Sequence, residues 1–144
     1  RQYGYHLNRF IVASNILKKL FSLVTLQRPI VTGDSKVDLT PYSIELYFEE
    51  NITKTLTLDE MAQYFGFSKF YFAKKFQLLT GTNPLKLFLQ KKIQTACGYL
   101  DSTDKPIKVI SKLLGYDDAY YFSRLFKQTI GISPTQYRSS RHSH

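Results

Sequence analysis

Two stretches of this chain carry the same residue pattern, and that repeat limits the possible folds more than any other feature. Leu58, Met61, Ala62, Phe65, Gly66 and Phe67 reappear 49 positions later as Ile107, Ile110, Ser111, Leu114, Gly115 and Tyr116. Past the turn the offset is 50, so Phe72, Phe76, Gly81 and Pro84 are followed by Phe122, Phe126, Gly131 and Pro134. One residue has been added at the second turn. Glycine, aromatic and proline positions coincide together, a degree of agreement that two unrelated amphipathic helix pairs would not reach by chance. Self-similarity of this kind marks two copies of one supersecondary unit.

Each copy reads as a short helix, a tight turn and a second helix. Thr57 and Glu60 make a capping box ahead of Leu58, Met61, Ala62 and Phe65. Gly66 then turns the chain, Ser68 is placed to cap the next helix, Phe72, Phe76 and Leu79 form its inner face, and Gly81 closes it. Small side chains at Ala62 and Ser111 let two short helices cross closely. Asn83 and Pro84 open a longer helix with an apolar stripe of Leu85, Leu89, Ile93, Ala96 and Leu100, which breaks over 101–105. Upstream, Thr40 and Pro41 serve as cap and first residue of a helix containing Ile44, Tyr47 and Phe48.

Before that the pattern changes. From about Tyr5 to Gln27, Phe10, Ala13, Leu17, Leu20 and Val24 draw a stripe with 3-4-3-4 spacing, an amphipathic helix in want of a partner. Docking onto an upstream domain and self-pairing as a coiled coil both satisfy it. Pro29, Gly33, Asp34, Ser35 and Lys36 mark a linker. The expected fold is therefore all-α. An N-terminal helix and linker occupy 1–40, a first helix-turn-helix unit 41–83, a connecting helix 84–101, and a second unit with the C-terminal tail 102–144.

At 144 residues and 43% hydrophobic content the chain suits one or two small globular units and is too short for a large enzyme. No apolar run approaches the roughly 18 residues of a membrane span. The N-terminus lacks a signal-peptide pattern and Cys97 is the single cysteine, so the expected setting is cytoplasmic and reducing. Cys97 itself reads as inert packing between Ala96 and Gly98. His6, His142 and His144 have no metal-site spacing and no Gly-rich phosphate loop is present, so no cofactor or metal is expected.

Charge points to an anionic partner. The net charge is +9, from 20 Lys plus Arg against 11 Asp plus Glu. It is unevenly placed: Lys69, Lys74, Lys75, Lys86, Lys91 and Lys92 fall between Met61 and Leu100 with no acidic residue among them, whereas 41–60 is acidic. At about 100° per residue, the helix face opposite Phe72, Phe76 and Leu79 carries Phe70, Lys74 and Gln77. In the second copy it carries Tyr120, Arg124 and Lys127.

Early positions of a recognition helix reach base edges, and later ones meet the backbone. Phe70, Lys74, Tyr120, Tyr121 and Arg124 are thus the candidate base readers. Arg124 can bond bidentately to guanine, Lys74 can donate to the same acceptors, and the rings can pack on thymine methyls. Lys69, Lys75, Gln77, Lys86, Lys91, Lys108, Lys112, Lys127 and Arg138 form the pool for phosphate contacts. Asp117 and Asp118 read as caps for the second recognition helix, with acceptance of a cytosine amino proton as the other reading.

The stretch from Leu56 to Arg138 resembles the C-terminal DNA-binding domain of the AraC/XylS family of bacterial regulators. The residues that carry the resemblance are GYDDAYYFSRLFKQTIGISPTQYR from Gly115 to Arg138, with FGFSKFYFAKKFQLLTG in the first unit. Gln77 stands where the family usually has lysine, Lys92 where it usually has arginine, and Ser111 where alanine is common. The resemblance implies two small helical bundles bridged by one helix, sequence-specific double-stranded DNA binding, and most often activation of transcription beside RNA polymerase. It also implies a homodimer and a small-molecule effector bound by a region upstream, this chain being a fragment of a longer regulator. Two recognition helices on one rigid connector would meet the duplex about 34 Å apart, one helical turn. The competing reading from another class is a helical protein-interaction module whose basic surface is incidental. An enzyme built around Cys97 is a more distant one.

Overall fold

The computed structural model describes residues 37–141 and 143. The N-terminal stripe and most of the linker expected over 1–40 lie outside the described residues. The described residues form seven α-helices and no strand. In chain order these are α1 (Pro41–Glu50), α2 (Leu58–Tyr64), α3 (Lys69–Thr80), α4 (Pro84–Ser102), α5 (Ile107–Leu113), α6 (Ala119–Ile130) and α7 (Pro134–Arg141).

Local chemistry explains where these helices begin. Thr40 and Ser43 cap α1 reciprocally, with Pro41 as its first residue, and Thr57 and Glu60 do the same for α2. The Glu60 carboxyl accepts from the Thr57 backbone N–H at 2.7 Å, and that bond with the Thr57 hydroxyl holds its pKa below the usual carboxylate range. Asn83 caps α4 ahead of Pro84, its side chain accepting from the Lys86 N–H at 3.1 Å. Ser68, placed by the sequence as a cap for α3, makes no side-chain capping bond. In the second unit the added turn residue gives the sequence Gly115-Tyr116-Asp117-Asp118. Asp118 caps α6, accepting from the Tyr120 and Tyr121 backbone N–H groups at 2.9 and 3.2 Å.

The repeat carries through to the packing. Met61, Ala62, Phe65, Phe72, Phe76 and Pro84 are buried in the first unit, as are Ile110, Ser111, Leu114, Phe122, Phe126 and Pro134 in the second. Two apolar clusters result. One gathers α1, α2, α3 and Phe88, with Phe65 stacked on Phe72 at 5.7 Å and Phe48 against Phe88 at 4.9 Å. The other gathers Ile93, Ala96, Cys97 and Leu100 of α4 with α5 and α6. A single helix thus supplies side chains to both, and Ile52 in the α1–α2 loop packs against each.

Two side chains expected inside lie outside. Leu79 is 41% exposed because α3 has 12 residues and α2 only 7, so the last turn of α3 outruns its partner. Leu85 is 43% exposed because the first turns of α4 bury Pro84 and Phe88, one position before the expected Leu85 and Leu89, while Ile93, Ala96 and Leu100 further along α4 are buried as expected. Its buried row runs Pro84, Phe88, Lys92, Ile93, Ala96, Cys97 and Leu100, and the larger Phe88 ring takes the place in the first core.

Candidate nucleic-acid interface

Within each helix pair the second helix buries two phenylalanines and turns its other side to solvent. On α3 the exposed side carries Phe70, 85% exposed, with Lys74 one turn on. On α6 it carries Tyr120, also 85% exposed, with Arg124 one turn on. A single exposed aromatic ring is common on protein surfaces and by itself marks nothing. Here the same exposure occurs at the same position of both copies, each ring followed four residues later by a cation.

Tyr121 is 46% exposed and plays a different part from Tyr120. Its ring leans on Tyr116 at 6.1 Å, and the Arg124 guanidinium lies 5.9 Å from its centroid. The inner edge of Tyr121 is therefore fixed by the turn, and its face steadies the guanidinium. Burial raises the Tyr116 hydroxyl pKa, with the Tyr121 hydroxyl adding to the shift.

The cation pool divides sharply. Lys86, Lys108, Lys112 and Lys127 are exposed, and Lys75 is exposed with its amine 4.8 Å from the Phe67 ring centroid. Lys69 is paired with Asp59 at 3.3 Å, both exposed, a contact weak enough to be exchanged for a phosphate. Gln77 is exposed, and its amide donates to the Gly81 carbonyl at 3.1 Å, closing α3.

Two members of the pool are drawn into the protein instead. Lys91 has a side chain only 13% exposed and sits against the Glu45 and Glu49 carboxylates of α1. Arg138 reaches from α7 to the Thr103 and Lys105 carbonyls at 3.4 and 2.6 Å, tying α7 to the loop before α5. Both make fold contacts: Lys91 faces the acidic stretch of α1, and one Arg138 Nη donates to the carbonyls of the α4–α5 loop.

Lys92, one of the basic run on α4, is 3% exposed. Its amine donates to the carbonyls of Lys54 and Leu114, each at 2.5 Å, and lies 4.9 Å from both the Phe88 and the Tyr116 rings. Burial lowers its pKa from 10.5 to about 8. A signal was present in the sequence: Lys92 stands four residues from both Phe88 and Ala96, inside the buried row. Cys97 is buried, with its thiol pKa pushed up to about 11 by that burial, the environment of an unreactive thiol. Among the described residues no group of three His, Cys, Asp or Glu side chains is placed to hold a metal ion, and no helix is long and apolar enough to cross a membrane.

A family model described as a helix-turn-helix domain matches residues 61–140, more than half of the chain. The MmsAB operon regulatory protein of Pseudomonas aeruginosa is 36% identical over 138 residues, 96% of this chain and 44% of its own length. The transcriptional activator AarP of Providencia stuartii is 30% identical over 97 residues, 67% of this chain and 72% of its own. Among solved structures, the C-terminal domain of the response regulator AraT from Geobacillus stearothermophilus superposes with a TM-score of 0.67 at 30% identity, covering 73% of this chain and 89% of that one. This chain spans less than half of the Pseudomonas regulator. With its paired units, exposed aromatic–cation faces and these relatives, the chain belongs to the AraC family of bacterial helix-turn-helix transcription regulators.

Proposed function

We propose that residues 41–144 bind double-stranded DNA in a sequence-specific manner, with α3 and α6 each entering a major-groove segment on one side of the duplex. The observation that carries this reading is the repeated pair on the two outward faces, Phe70 with Lys74 and Tyr120 with Arg124. Arg124 and Lys74 donate to guanine O6 and N7, and Phe70 and Tyr120 pack on thymine methyls. Lys75, Lys86, Lys108, Lys112 and Lys127 contact phosphates, and Lys69 joins them by leaving Asp59. Residues 41–83 act as the first reading unit, 84–101 as the connector and 102–144 as the second unit.

The regulator acts in the cytoplasm, most simply as an activator beside RNA polymerase, in keeping with the activator among its relatives. Pairing as a homodimer and control by a small-molecule effector belong to a region upstream of residue 41 and are carried by the family resemblance. The experiment is a binding titration against a pool of random duplexes and against duplexes selected from that pool. Tighter binding to the selected pool is expected, with Lys74→Ala and Arg124→Ala each reducing the preference. Equal, weak binding to both pools would instead favour the interaction module, in which the basic face is incidental.

A further inference from the structure

Besides α4, which serves both cores, the two reading units meet at a small joint. On one side is the α1–α2 loop, residues 51–57; on the other is the turn between α5 and α6. Ile52 of the loop packs against both apolar clusters. The loop's Thr55 hydroxyl donates to the Gly115 carbonyl at 3.4 Å. Gly115 is held at φ 84°, and a Cβ there would lie 2.7 Å from the Thr53 carbonyl oxygen, so the two backbones touch where only glycine fits. Lys92 rises from α4 into this joint, and one ammonium group donates to the Lys54 carbonyl of the loop and the Leu114 carbonyl of the turn.

That position has consequences for reading DNA. Leu114 and Gly115 precede α6 by five and four residues, so whatever fixes their backbone fixes the entry of the second recognition helix. Lys54 is three residues before Thr57, the cap of α2, which packs on α3. A buried cation with two carbonyl acceptors and two flanking ring faces is a strong local constraint, because moving either carbonyl away leaves a charge unpaired in a dry site. The aliphatic packing of Ile52 alone would tolerate sliding; a two-point hydrogen bond does not.

We propose that Lys92 is a positioning residue for DNA recognition: by bonding both units at once it sets the relative placement of α3 and α6, and hence the spacing of bases the protein accepts. This rests on the reading that α3 and α6 bind one duplex together. Lys92 touches no DNA and adds no affinity of its own. Its effect is selectivity for spacing, a property that a residue serving only the stability of one core would not control.

The test uses the full chain and a duplex selected from random DNA, with one or two base pairs inserted or removed between its two contacted blocks. Each added pair moves one block by about 3.4 Å and turns it by roughly 35°. Wild-type protein is expected to lose at least tenfold in affinity per inserted pair. Lys92→Met, folded as judged by its helical circular dichroism, should flatten that profile to threefold or less, and Lys92→Arg, which keeps a buried donor cation, should restore it.

A Lys92→Met profile parallel to wild type, merely weaker throughout, would overturn the proposal and leave the two-helix reading intact. A wild-type profile that is flat would instead overturn the two-helix reading. Should Lys92→Met not fold, Lys92→Gln takes its place, since its shorter amide reaches one carbonyl and the profile should again flatten. Unfolding of both would make Lys92 a residue of the fold alone and would also overturn the proposal.

Discussion

The Arg124 guanidinium lies 5.9 Å from the ring centroid of Tyr121, one turn apart on the exposed face of α6. Tyr121 in turn rests on Tyr116, so a chain of contacts runs from the half-buried turn aromatic to an exposed cation. A guanidinium steadied in this way loses less freedom on meeting a base than one on a bare helix. Arg124→Ala should therefore relax preference at particular base pairs and cost roughly 1–3 kcal/mol on the preferred site. Tyr121→Ala should lower affinity for that site with a smaller change in which bases are preferred. Competition binding with single-base variants of the site separates the two outcomes, and uniform weakening by Arg124→Ala would make it a phosphate contact.

Salt dependence sorts the lysines. Lys86 is exposed, whereas Lys91 already sits against Glu45 and Glu49. Each phosphate neutralised contributes about 0.9 to the slope of log affinity against log salt. Lys86→Ala should lower that slope by up to about one phosphate equivalent, and Lys91→Ala should leave it unchanged while reducing stability. A slope change with Lys91→Ala would mean that DNA displaces the α1 carboxylates.

Asp118 sets a capping bond against a charge. Its carboxylate satisfies two N–H groups at the start of α6, beside the surface proposed to meet phosphate. Asp118→Ala should cost about 0.5–2 kcal/mol of stability. Asp118→Asn keeps the capping oxygen and removes the charge, so it should hold stability near wild type and bind DNA more tightly at low salt. Thermal unfolding and a salt titration check the pair.

Lys92 gives a stability signature in alkali. Its pKa is about 8 in the folded chain, below the ordinary lysine value of 10.5, so between those values the unfolded chain binds the additional proton. Stability from this group therefore rises as pH increases from 8 toward 10 and is lost as pH falls through 8. A neutral amine still carries two N–H donors, one for each carbonyl. Wild type should gain stability relative to Lys92→Met across that window in denaturant titrations; a constant difference would mean that the buried amine keeps an ordinary pKa.

The repeat made most of the helical architecture legible in advance. The glycine and proline positions bracket α2 through α7, and Phe72, Phe76, Phe122 and Phe126 mark the inner faces that the structure buries. Periodicity misplaced Leu79 and Leu85 because it contains no information on where a helix outruns its neighbour or how far it is rotated about its axis. The outward stripes of Phe70, Lys74, Tyr120 and Arg124 follow from the same 3.6-residue arithmetic and are exposed as expected. Lys91, Lys92 and Arg138 were harder, since the partners that remove them from the surface are 46 residues away for Lys91 to Glu45, 38 and 22 for Lys92, and 33 for Arg138 to Lys105. Such partners are fixed by tertiary contact; of the three, only Lys92 carries a local mark, its place four residues from both Phe88 and Ala96.

Whether two recognition helices read one duplex together is decided by selecting preferred sites from random DNA. Joint reading by α3 and α6 should give two conserved blocks whose centres lie about one helical turn, 10–10.5 base pairs, apart. Arg124→Ala should blur only one block and Lys74→Ala only the other. A single conserved block, or two blocks both insensitive to these substitutions, would contradict it.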